Sequence, residues 1–525
     1  MPNLTSSNLQ ESFEQGQVHK QFPAELWIEI AQHLSLRNRA KLCLTCSWFL
    51  RILRPLLYRH IYLRQIYVSS TNSSPKSTMD LLARDYELAS SVETLSLEVF
   101  NNYHYSSLRE TPPVVNIDAM KNMTNLLSLK IHGPALYGSN EDAVRKAVEL
   151  MRSVKKLEVT MPWGAGPDMI IRLASCARSL GHFFDLEEVL WHAGYRFEGG
   201  SWNFTSQGMF LSSRSSSIHI PSTGMYQLEP LWNTLNHSLD TIHTLSLPFP
   251  LAYPDTQSYF FRNYRFSRLR RLTLGDWVPT AQADFHNFIV AHADRLEYLS
   301  LHEEIWSSPG MAFDESISQL LNSGSFPSLR AFRGRSESIK AMANAGVQSL
   351  HKLEAYVSTS GNKMEMESLY SSIRNTDALT KLKELNFEFV MCSNVSVICR
   401  HNSLWASICG ASLERWHCGD LAIRQQQDGW GPVKLQEMFR GFYRLEEIRF
   451  GDGWIVGGPH YHPSESEVEE YLFRLTLSCP RLQDVHFFME GQKKCWEIVR
   501  TSDGAMSYRQ HPPNGRTYRQ WSFDL

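Results

Sequence analysis

Hydrophobic residues recur along most of this chain in one short pattern: apolar, two residues, apolar, one residue, apolar. Its last two apolar positions are two residues apart, which points both side chains to one face of a β-strand. The pattern therefore predicts a series of strands that share one buried face. The clear copies are Val92-Leu95-Leu97, Leu126-Leu129-Ile131, Val154-Leu157-Val159, Leu186-Val189-Trp191, Ile242-Leu245-Leu247, Leu269-Leu272-Leu274, Leu296-Leu299-Leu301, Leu382-Leu385-Phe387, Leu445-Ile448-Phe450 and Leu482-Val485-Phe487.

The stretches between these copies have the periodicity of helices. Successive copies are about 30 residues apart on average, and apolar residues three and four positions apart fill several intervals. Parallel strands joined by helical crossovers stack into a solenoid, which is the fold that this alternation predicts. Helical intervals are 141–151, 168–180, 226–239, 283–296 and 467–477, and weaker strand copies are Leu329-Phe332, Leu350-Leu353, Leu413-Trp416-Cys418 and, in part, Ile218-Ile220.

This array resembles the solenoids of leucine-rich-repeat proteins over most of residues 90–490. The resemblance implies an α/β fold, in which an irregular leucine-rich-repeat solenoid with a C-terminal cap occupies residues 65–525. The turn signals Asp503-Gly504 and Asn514-Gly515 favour terminal strands that close the open end. The asparagine of regular repeats is mostly missing, and the residues near its place are Gly133, Gly275, Gly419 and Gly451.

Near the N-terminus, residues 21–64 carry a denser apolar pattern that predicts three short helices. Pro23 suits the first turn of a helix, because that turn needs no amide donor. Segments 39–46 and 48–58 supply two further apolar helices. Helices this short cannot bury so much apolar surface among themselves, so the segment predicts a partner-binding module. Two apolar rows mark the first helix, namely Leu26-Ile30-Leu34 and Trp27-Ala31.

The order of residues in this segment resembles an F-box, a three-helix module. F-boxes bind the Skp adaptor of cullin-based ubiquitin ligases, so the resemblance implies an adaptor-binding site. The alternative is a small helical cap in which the same residues are ordinary core. The matching order is Phe22-Pro23-x-Glu25-Leu26-x3-Ile30-x3-Leu34-x7-Leu42-x3-Cys46-x-Trp48-Phe49, then Pro55-Leu56-Leu57-Tyr58. The candidate adaptor contacts are Phe22, Pro23, Leu26, Ile30, Leu34, Leu42, Cys46 and Trp48.

Together the two resemblances imply the substrate-recognition subunit of a Skp-cullin-F-box ubiquitin ligase. The F-box would hold the adaptor and through it the cullin, while the repeats would hold an unknown target protein. Such a chain is not itself an enzyme, and we expect it to need no cofactor or metal. One alternative is an F-box scaffold that acts without ubiquitination. Another is a hydrolase built around Cys409 and His417.

Composition narrows the class of protein and its partners. The 525 residues are 42% hydrophobic and 20% charged, as in ordinary soluble proteins. A formal charge of -2 gives no overall field for nucleic acid or an anionic membrane. No apolar run approaches the roughly 18 residues of a membrane helix, no signal-peptide pattern opens the chain, and nine cysteines fit reduced thiols. We therefore expect a cytoplasmic or nuclear protein with a disordered N-terminus over residues 1–20.

Motifs for catalysis or metal binding are weak. The chain has no phosphate-binding glycine loop, no nucleophile elbow and no zinc-protease motif. Cys43 and Cys46 have the spacing of a zinc or redox pair, but no second pair follows at the required distance. We interpret them as buried structural thiols. Other neighbouring Cys and His residues, which lack an evident orienting partner, are Cys409, His417 and Cys418, and His460 and His462.

A basic segment at residues 262–271 interleaves arginines with aromatic residues. This composition suits contact with nucleic acid or with an acidic peptide. It equally suits a strand edge whose arginines are solvated and whose aliphatic stems pack on the protein.

Two aromatic inserts between repeats, residues 195–217 and 253–266, are candidates for target recognition. Long connections without a helical pattern are unusual unless they are functional or disordered, and disordered segments are poor in aromatics. Interfaces, in contrast, are enriched in aromatic anchors. The candidate target-binding residues are Trp202, Phe260 and Tyr264. The alternative is that these rings fold back onto the repeats as core.

Overall fold

The computed structural model divides into two compact units. The first comprises Met1–Thr160, Gly164–Leu186 and Tyr226–His237, and the second comprises Met161–Trp163, Glu187–Met225 and Ser238–Leu525. The structure describes residues 22–66, 74–100, 116–132, 146, 149–161, 183, 185–193, 229–247, 254–275, 282–302, 326–344, 347, 349–358, 370–371, 373–374, 379–390, 395–418, 432–450, 464–489, 492–501 and 506–511. The N-terminal residues 1–20, expected to be disordered, lie outside these ranges.

The first unit opens with three helices: α1 (Ala24–Gln32), α2 (Leu36–Cys43) and α3 (Ser47–Tyr58). Pro23 occupies the N-cap of α1. Ser35 caps α2 by accepting a hydrogen bond from the backbone N–H of Asn38, at 3.3 Å, which satisfies a donor that has no partner within the helix. Pro23 and Ser35 therefore account for where α1 and α2 begin.

Parallel strands follow in chain order in the rest of the first unit. Strands β1 to β4 pair in sequence, each with the next, and the register aligns Leu95, Leu129 and Leu157 across three of them. The elements are β1 (His60–Ile66), α4 (Ser74–Arg84), α5 (Tyr86–Ser90), β2 (Thr94–Phe100), α6 (Ile117–Asn122), β3 (Ser128–His132), β4 (Lys156–Met161) and α7 (Glu229–Asn236).

The second unit repeats the same architecture. Its strands β5 to β14 are parallel and pair in chain order, whereas β15 and β16 are antiparallel and follow β14, in the region where Asp503-Gly504 predicts a hairpin. The elements are β5 (Glu188–Ala193), β6 (Thr244–Leu247), α8 (Pro254–Asn263), β7 (Arg271–Gly275), α9 (Gln282–Val290), β8 (Tyr298–His302), β9 (Ala331–Arg335), α10 (Ser336–Asn344), β10 (Lys352–Ser358), β11 (Glu384–Val390), α11 (Val395–Cys409), β12 (Arg415–Cys418), α12 (Pro432–Met438), β13 (Glu447–Phe450), α13 (Glu465–Ser478), β14 (Asp484–Met489), β15 (Gln492–Arg500) and β16 (Met506–His511).

The apolar positions of the repeated pattern form the core, as the sequence predicts. In the second unit, Leu245, Leu272 and Leu299 are aligned by register and are buried. Helices cover this face of the sheet. Trp405 of α11 lies edge-on to Phe387 of β11, with ring centroids 5.6 Å apart. The intermediate strand residues point to the opposite face, because side chains alternate along a strand.

One carbonyl of each repeat fixes the position of the next strand. The carbonyl of Arg270 accepts hydrogen bonds from the N–H groups of Glu297 and Tyr298, at 2.7 and 3.1 Å. This shared acceptor holds two consecutive residues, so a slip by one residue would break both bonds and exchange the faces of the strand. The same arrangement occurs at Arg59, Glu93, Leu127, Glu187, His243, Glu297, Arg330, His351, Lys383, Glu414 and Glu446.

Serine hydroxyls provide a second link between some repeats. Each of these serines precedes the first apolar residue of a repeat and donates to the carbonyl of the first apolar residue of the preceding repeat. The pairs are Ser153 with Leu126 at 2.9 Å, Ser349 with Leu329 at 2.7 Å, and Ser412 with Leu382 at 2.8 Å. Successive repeats are therefore joined although the asparagine of regular leucine-rich repeats is mostly missing.

The buried face can be tested at two neighbouring positions of β7. We expect Leu272→Asp to lower the free energy of unfolding by about 4 kcal/mol, because an unpaired carboxylate would enter the core. Thr273→Asp is the matched control, since Thr273 lies on the opposite face and is half-buried. Thermal unfolding of both variants checks this expectation. Equal melting temperatures for Leu272→Asp and the unmodified chain would mean that the strand faces are misassigned.

Candidate protein-docking site

The three N-terminal helices share a small core. Its fully packed members are Ala31 of α1, Cys43 of α2, and Phe49 and Leu53 of α3. Trp27 lies edge-on to Phe49, with centroids 4.9 Å apart, in the geometry that aromatic pairs favour. The second apolar row of α1, which contains Trp27 and Ala31, is therefore the row that faces inward.

The first apolar row of α1 faces outward. Phe22, Leu26 and Ile30 are 48%, 49% and 47% exposed, respectively. Leu26 and Ile30 are four residues apart and so lie on one side of α1. Phe22 precedes the helix, and its ring lies edge-on to that of Trp27, with centroids 6.0 Å apart. Large apolar side chains that remain accessible in a row mark a surface for a partner when they adjoin one another. We name the exposed residues Phe22, Leu26 and Ile30 the outer row.

The candidate adaptor contacts thus separate into two groups. Phe22, Pro23, Leu26 and Ile30 are exposed, and Leu34 is half-buried. Three others pack against the core of the helices and are only partly accessible, namely Leu42, Cys46 and Trp48. The exposed members are accessible to solvent, whereas the packed members support the helices that carry them.

Three further exposed apolar residues of the N-terminal segment are not among the adaptor contacts that the sequence predicts. Leu36 begins α2, Leu44 follows its last residue, and Leu50 lies in the first turn of α3. Leu44 is 84% exposed, the highest value among the large apolar residues of the described ranges. Their positions could have indicated this exposure, because apolar residues at helix ends do not belong to the rows that pack against neighbouring helices.

The helices are joined directly to the first repeat. Helix α3 ends at Tyr58 and β1 begins at His60. Arg59, between them, accepts the first shared pair of backbone hydrogen bonds and forms an ion pair with Glu93 at 2.7 Å. A second ion pair joins Arg54 of α3 to Asp85, the N-cap of α5, at 3.1 Å. Backbone pairing and side-chain contacts together predict a stiff junction.

The structure corrects the prediction that Phe260 and Tyr264 bind a target. Residues 254–263 form α8, so the insert at 253–266 is helical, and both rings are completely buried. They stack on each other with centroids 5.3 Å apart, and Phe260 lies 5.3 Å from Phe288 of α9. The rings are core residues, which was the alternative interpretation. The third candidate, Trp202, and the insert at 195–217 lie outside the described residues.

His292 completes this aromatic cluster as a buried neutral group. Its Nδ1–H donates to the carbonyl of Phe288 at 2.7 Å, and its Nε2 accepts from the N–H of Phe266 at 3.0 Å. Burial is the main cause that lowers the pKa of His292 to about 4, and Arg295 and Arg265 lower it further. Protonation would convert Nε2 from an acceptor into a donor and break the bond to Phe266.

Three of the five arginines of the basic segment 262–271 contact groups within the chain. Arg262 donates to Asp284 at 2.8 Å, and Arg270 pairs with Glu297 at 3.5 Å. Arg265 donates to the backbone carbonyls of Phe261 and Tyr264, each at 2.6 Å. These contacts match the interpretation of packed and solvated arginines, and they give no separate argument for a nucleic-acid site.

A hydrolase centred on Cys409 and His417 is contradicted by the structure. Cys409 is completely buried in α11, burial raises the pKa of its thiol to about 12, and Sγ contacts the carbonyl of Trp405 at 3.4 Å. In β12, Trp416 points into the core that the helices cover, so His417 projects from the opposite face of the sheet. The two residues lie on different faces and cannot act together. His460 and His462 lie outside the described residues.

Cys43 and Cys46 are free thiols, and burial raises the pKa of Cys43. Within the described ranges, no group of three or more His, Cys, Asp or Glu side chains is arranged to hold a metal ion. Among the residues that the structure describes, none of the helices combines the length and apolar character that a membrane crossing requires.

Comparison of the chain with models of protein families finds no match, and comparison with curated proteins finds none. Among solved structures, it is similar to the leucine-rich repeat-containing protein LegL7 from Legionella pneumophila. The identity is 13%, the match covers 78% of this chain and 92% of that chain, and the TM-score is 0.32. A protein from Bacteroides fragilis is 13% identical over 81% of this chain and 84% of its own, with a TM-score of 0.26. At these TM-scores neither structure bears on function.

Buried histidines predict a loss of stability in mild acid. The pKa of His401, which accepts a hydrogen bond from Tyr370, is also lowered to about 4 by burial. A histidine in the unfolded chain has a pKa of about 6.5. Between about pH 4 and about pH 6.5 the unfolded chain therefore binds more protons than the folded chain. Stability therefore falls as pH decreases from about 6.5 to about 4, by about 3 kcal/mol for each histidine.

The measurement is the melting temperature as a function of pH for the unmodified chain and for His292→Gln. We expect a shallower dependence in the variant between about pH 6.5 and pH 4, because one of the titrating groups is absent. Parallel curves for the two proteins would contradict the assignment of His292 as a buried neutral group.

Proposed function

We propose that this chain is the substrate-recognition subunit of a Skp-cullin-F-box ubiquitin ligase and that its three N-terminal helices dock the Skp adaptor. The observation that carries the proposal is the outer row, Phe22, Leu26 and Ile30. These residues coincide with positions at which the sequence resembles an F-box. Their exposure supports the docking proposal, because exposed apolar side chains are accessible to a partner.

Burial of the outer row supplies the driving force for docking. A large apolar side chain that leaves water contributes about 1.5–3 kcal/mol before the costs of association are subtracted. Leu36, Leu44 and Leu50 add apolar surface on the same helices. An apolar face of this kind suits a partner that offers a hydrophobic groove or helix, and the packed row below it keeps the helices in place.

The proposed mechanism is proximity. The helices hold the adaptor and through it the cullin, and the parallel-strand repeats serve as a protein-binding scaffold for the target. Lysines of the target are then presented to the conjugating enzyme at high effective concentration. A stiff junction between α3 and β1 favours this arrangement, because it limits how far the helices can reorient relative to the first strands of the same unit. In this proposal the chain itself supplies no catalytic group.

A scaffold that binds the adaptor without ubiquitination remains the alternative. Both functions predict capture of the adaptor, so capture alone does not separate them. Reconstitution of the chain with adaptor, cullin and conjugating enzyme separates the two functions. Ubiquitin transfer to a protein that binds the repeats supports a ligase subunit, whereas an adaptor complex that excludes the cullin supports the scaffold.

The docking surface can be tested in the full-length chain. We expect the double variant Leu26→Asp/Ile30→Asp to bind a purified Skp adaptor at least about 100-fold more weakly, since two apolar anchors become charged. Leu477→Asp is the matched control, because Leu477 is 52% exposed on α13 of the second unit. Affinities are measured by isothermal calorimetry, with melting temperatures recorded for each protein.

The control should bind the adaptor as the unmodified chain does. Unchanged affinity in the double variant would exclude the outer row as the docking surface. Absence of adaptor binding by the unmodified chain would exclude the F-box assignment itself.

A further inference from the structure

The face of the second unit opposite the core carries a dense set of charges on strands β9 to β13. Along one row, the strand register aligns Lys352 of β10, Glu384 of β11, Arg415 of β12 and Glu447 of β13. Charge alternates in sign from each strand to the next. Side chains at aligned positions of neighbouring strands are close enough to pair, so this alternation favours a cross-strand network.

The pairs are formed, and most of them join different strands. Lys352 contacts both Glu354 of its own strand, at 3.2 Å, and Glu384 of the next, at 3.1 Å. Glu384 also contacts Arg415 at 3.1 Å. Arg333 of β9 extends this chain of contacts to Glu354 at 3.3 Å. A neighbouring group centres on Glu447, which pairs with Arg449 and with His486 of β14.

Acidic and basic side chains occupy different depths on this face. The acidic side chains of Glu354 and Glu384 are each 11% exposed, and that of Glu447 is 15% exposed. Arg415 is 49% exposed and Arg449 is 31% exposed, whereas Arg333 and Lys352 are 24% and 20% exposed. The three carboxylates are therefore the most buried charged groups of this network, and Arg415 and Arg449 are its cations most open to solvent. A molecule that approaches from solvent meets guanidinium groups first.

Glu447 is ionised, and the three carboxylates hold the exposed guanidinium groups in position. Burial alone would raise the pKa of Glu447, but its hydrogen bond with His486 and the charge of Arg449 lower the pKa to about 2. Arg415 contacts Glu384 through one terminal nitrogen, whereas a guanidinium has five N–H groups in a fixed fork. An arginine fixed from below loses less entropy when a second acceptor binds from above.

We propose that the two exposed guanidinium groups of this network, those of Arg415 and Arg449, form a binding surface for an acidic peptide segment of a partner protein. Carboxylate or phosphate oxygens match guanidinium donors in geometry and charge. A basic segment would have to reach carboxylates that lie beneath the cations. This inference is independent of adaptor docking, because it concerns a different unit and a different class of contact.

The test uses the full-length chain and fluorescent ten-residue peptides of four kinds: glutamate-rich, phosphoserine-containing, lysine-rich and glutamine-rich. We expect binding of the glutamate-rich or the phosphoserine peptide, at least about tenfold tighter than binding of the lysine-rich and glutamine-rich peptides. Added salt should weaken it, because the site is partly exposed to solvent. Tighter binding of the phosphoserine peptide assigns phosphate as the preferred anion, and equal binding assigns any anionic side chain. Both outcomes support the surface.

Variants locate the binding on this face. Arg415→Gln/Arg449→Gln should weaken binding at least about tenfold, whereas Lys434→Gln/Arg440→Gln should not, because these exposed cations lie in or just after α12. If the first double variant has a lower melting temperature, the binding test uses the single variant Arg415→Gln instead. The Arg415 side chain is half exposed, so its replacement disturbs the fold least. Equal losses in the two double variants, unchanged binding in Arg415→Gln, or equal binding of acidic and basic peptides would overturn the proposal.

Discussion

The shared carbonyl that precedes most of the parallel strands is the contact on which both units depend. In the second unit, the carbonyl of Glu297 accepts from the N–H groups of both Arg330 and Ala331, and equivalent contacts recur from strand to strand. Two bonds to one acceptor define the register more strictly than one bond would. A correct register places every leucine of the repeated pattern on the helix-covered face, so the core is continuous within each unit although no repeat could bury its own apolar surface.

The same register determines what the opposite face displays. Once Leu353, Leu385 and Trp416 face the helices, Lys352, Glu384 and Arg415 must align on the other side. Ion pairing across strands then places the carboxylates below the cations. In the first unit, the shared-carbonyl contact at Arg59 connects the N-terminal helices to the first strands. The proposed adaptor surface and the proposed peptide surface therefore belong to different units and use different forces, apolar burial and charge.

Sequence alone predicted the strands and their buried face, because a period of two apolar positions has a single structural meaning. It did not separate the two apolar rows of α1, since Leu26-Ile30 and Trp27-Ala31 have the same spacing and differ only in what packs against them. Phe260 and Tyr264 were assigned to a target surface on aromatic content, although their four-residue spacing is helical. The cross-strand ion pairs were not predicted. They join residues about thirty positions apart in sequence, such as Glu384 and Arg415, and such residues come into contact only in the folded sheet.

Hydrogen exchange of the full-length chain, with and without a saturating Skp adaptor, tests the central claim most directly. The claim is that the N-terminal helices dock the adaptor while the repeats remain available to a target. The account predicts slower amide exchange in α1, α2 and the start of α3, and no change in strands β7 to β13, because docking stabilises only the elements that it buries. Protection of the strands without protection of the helices, or a bound adaptor that leaves α1 unprotected, would contradict it.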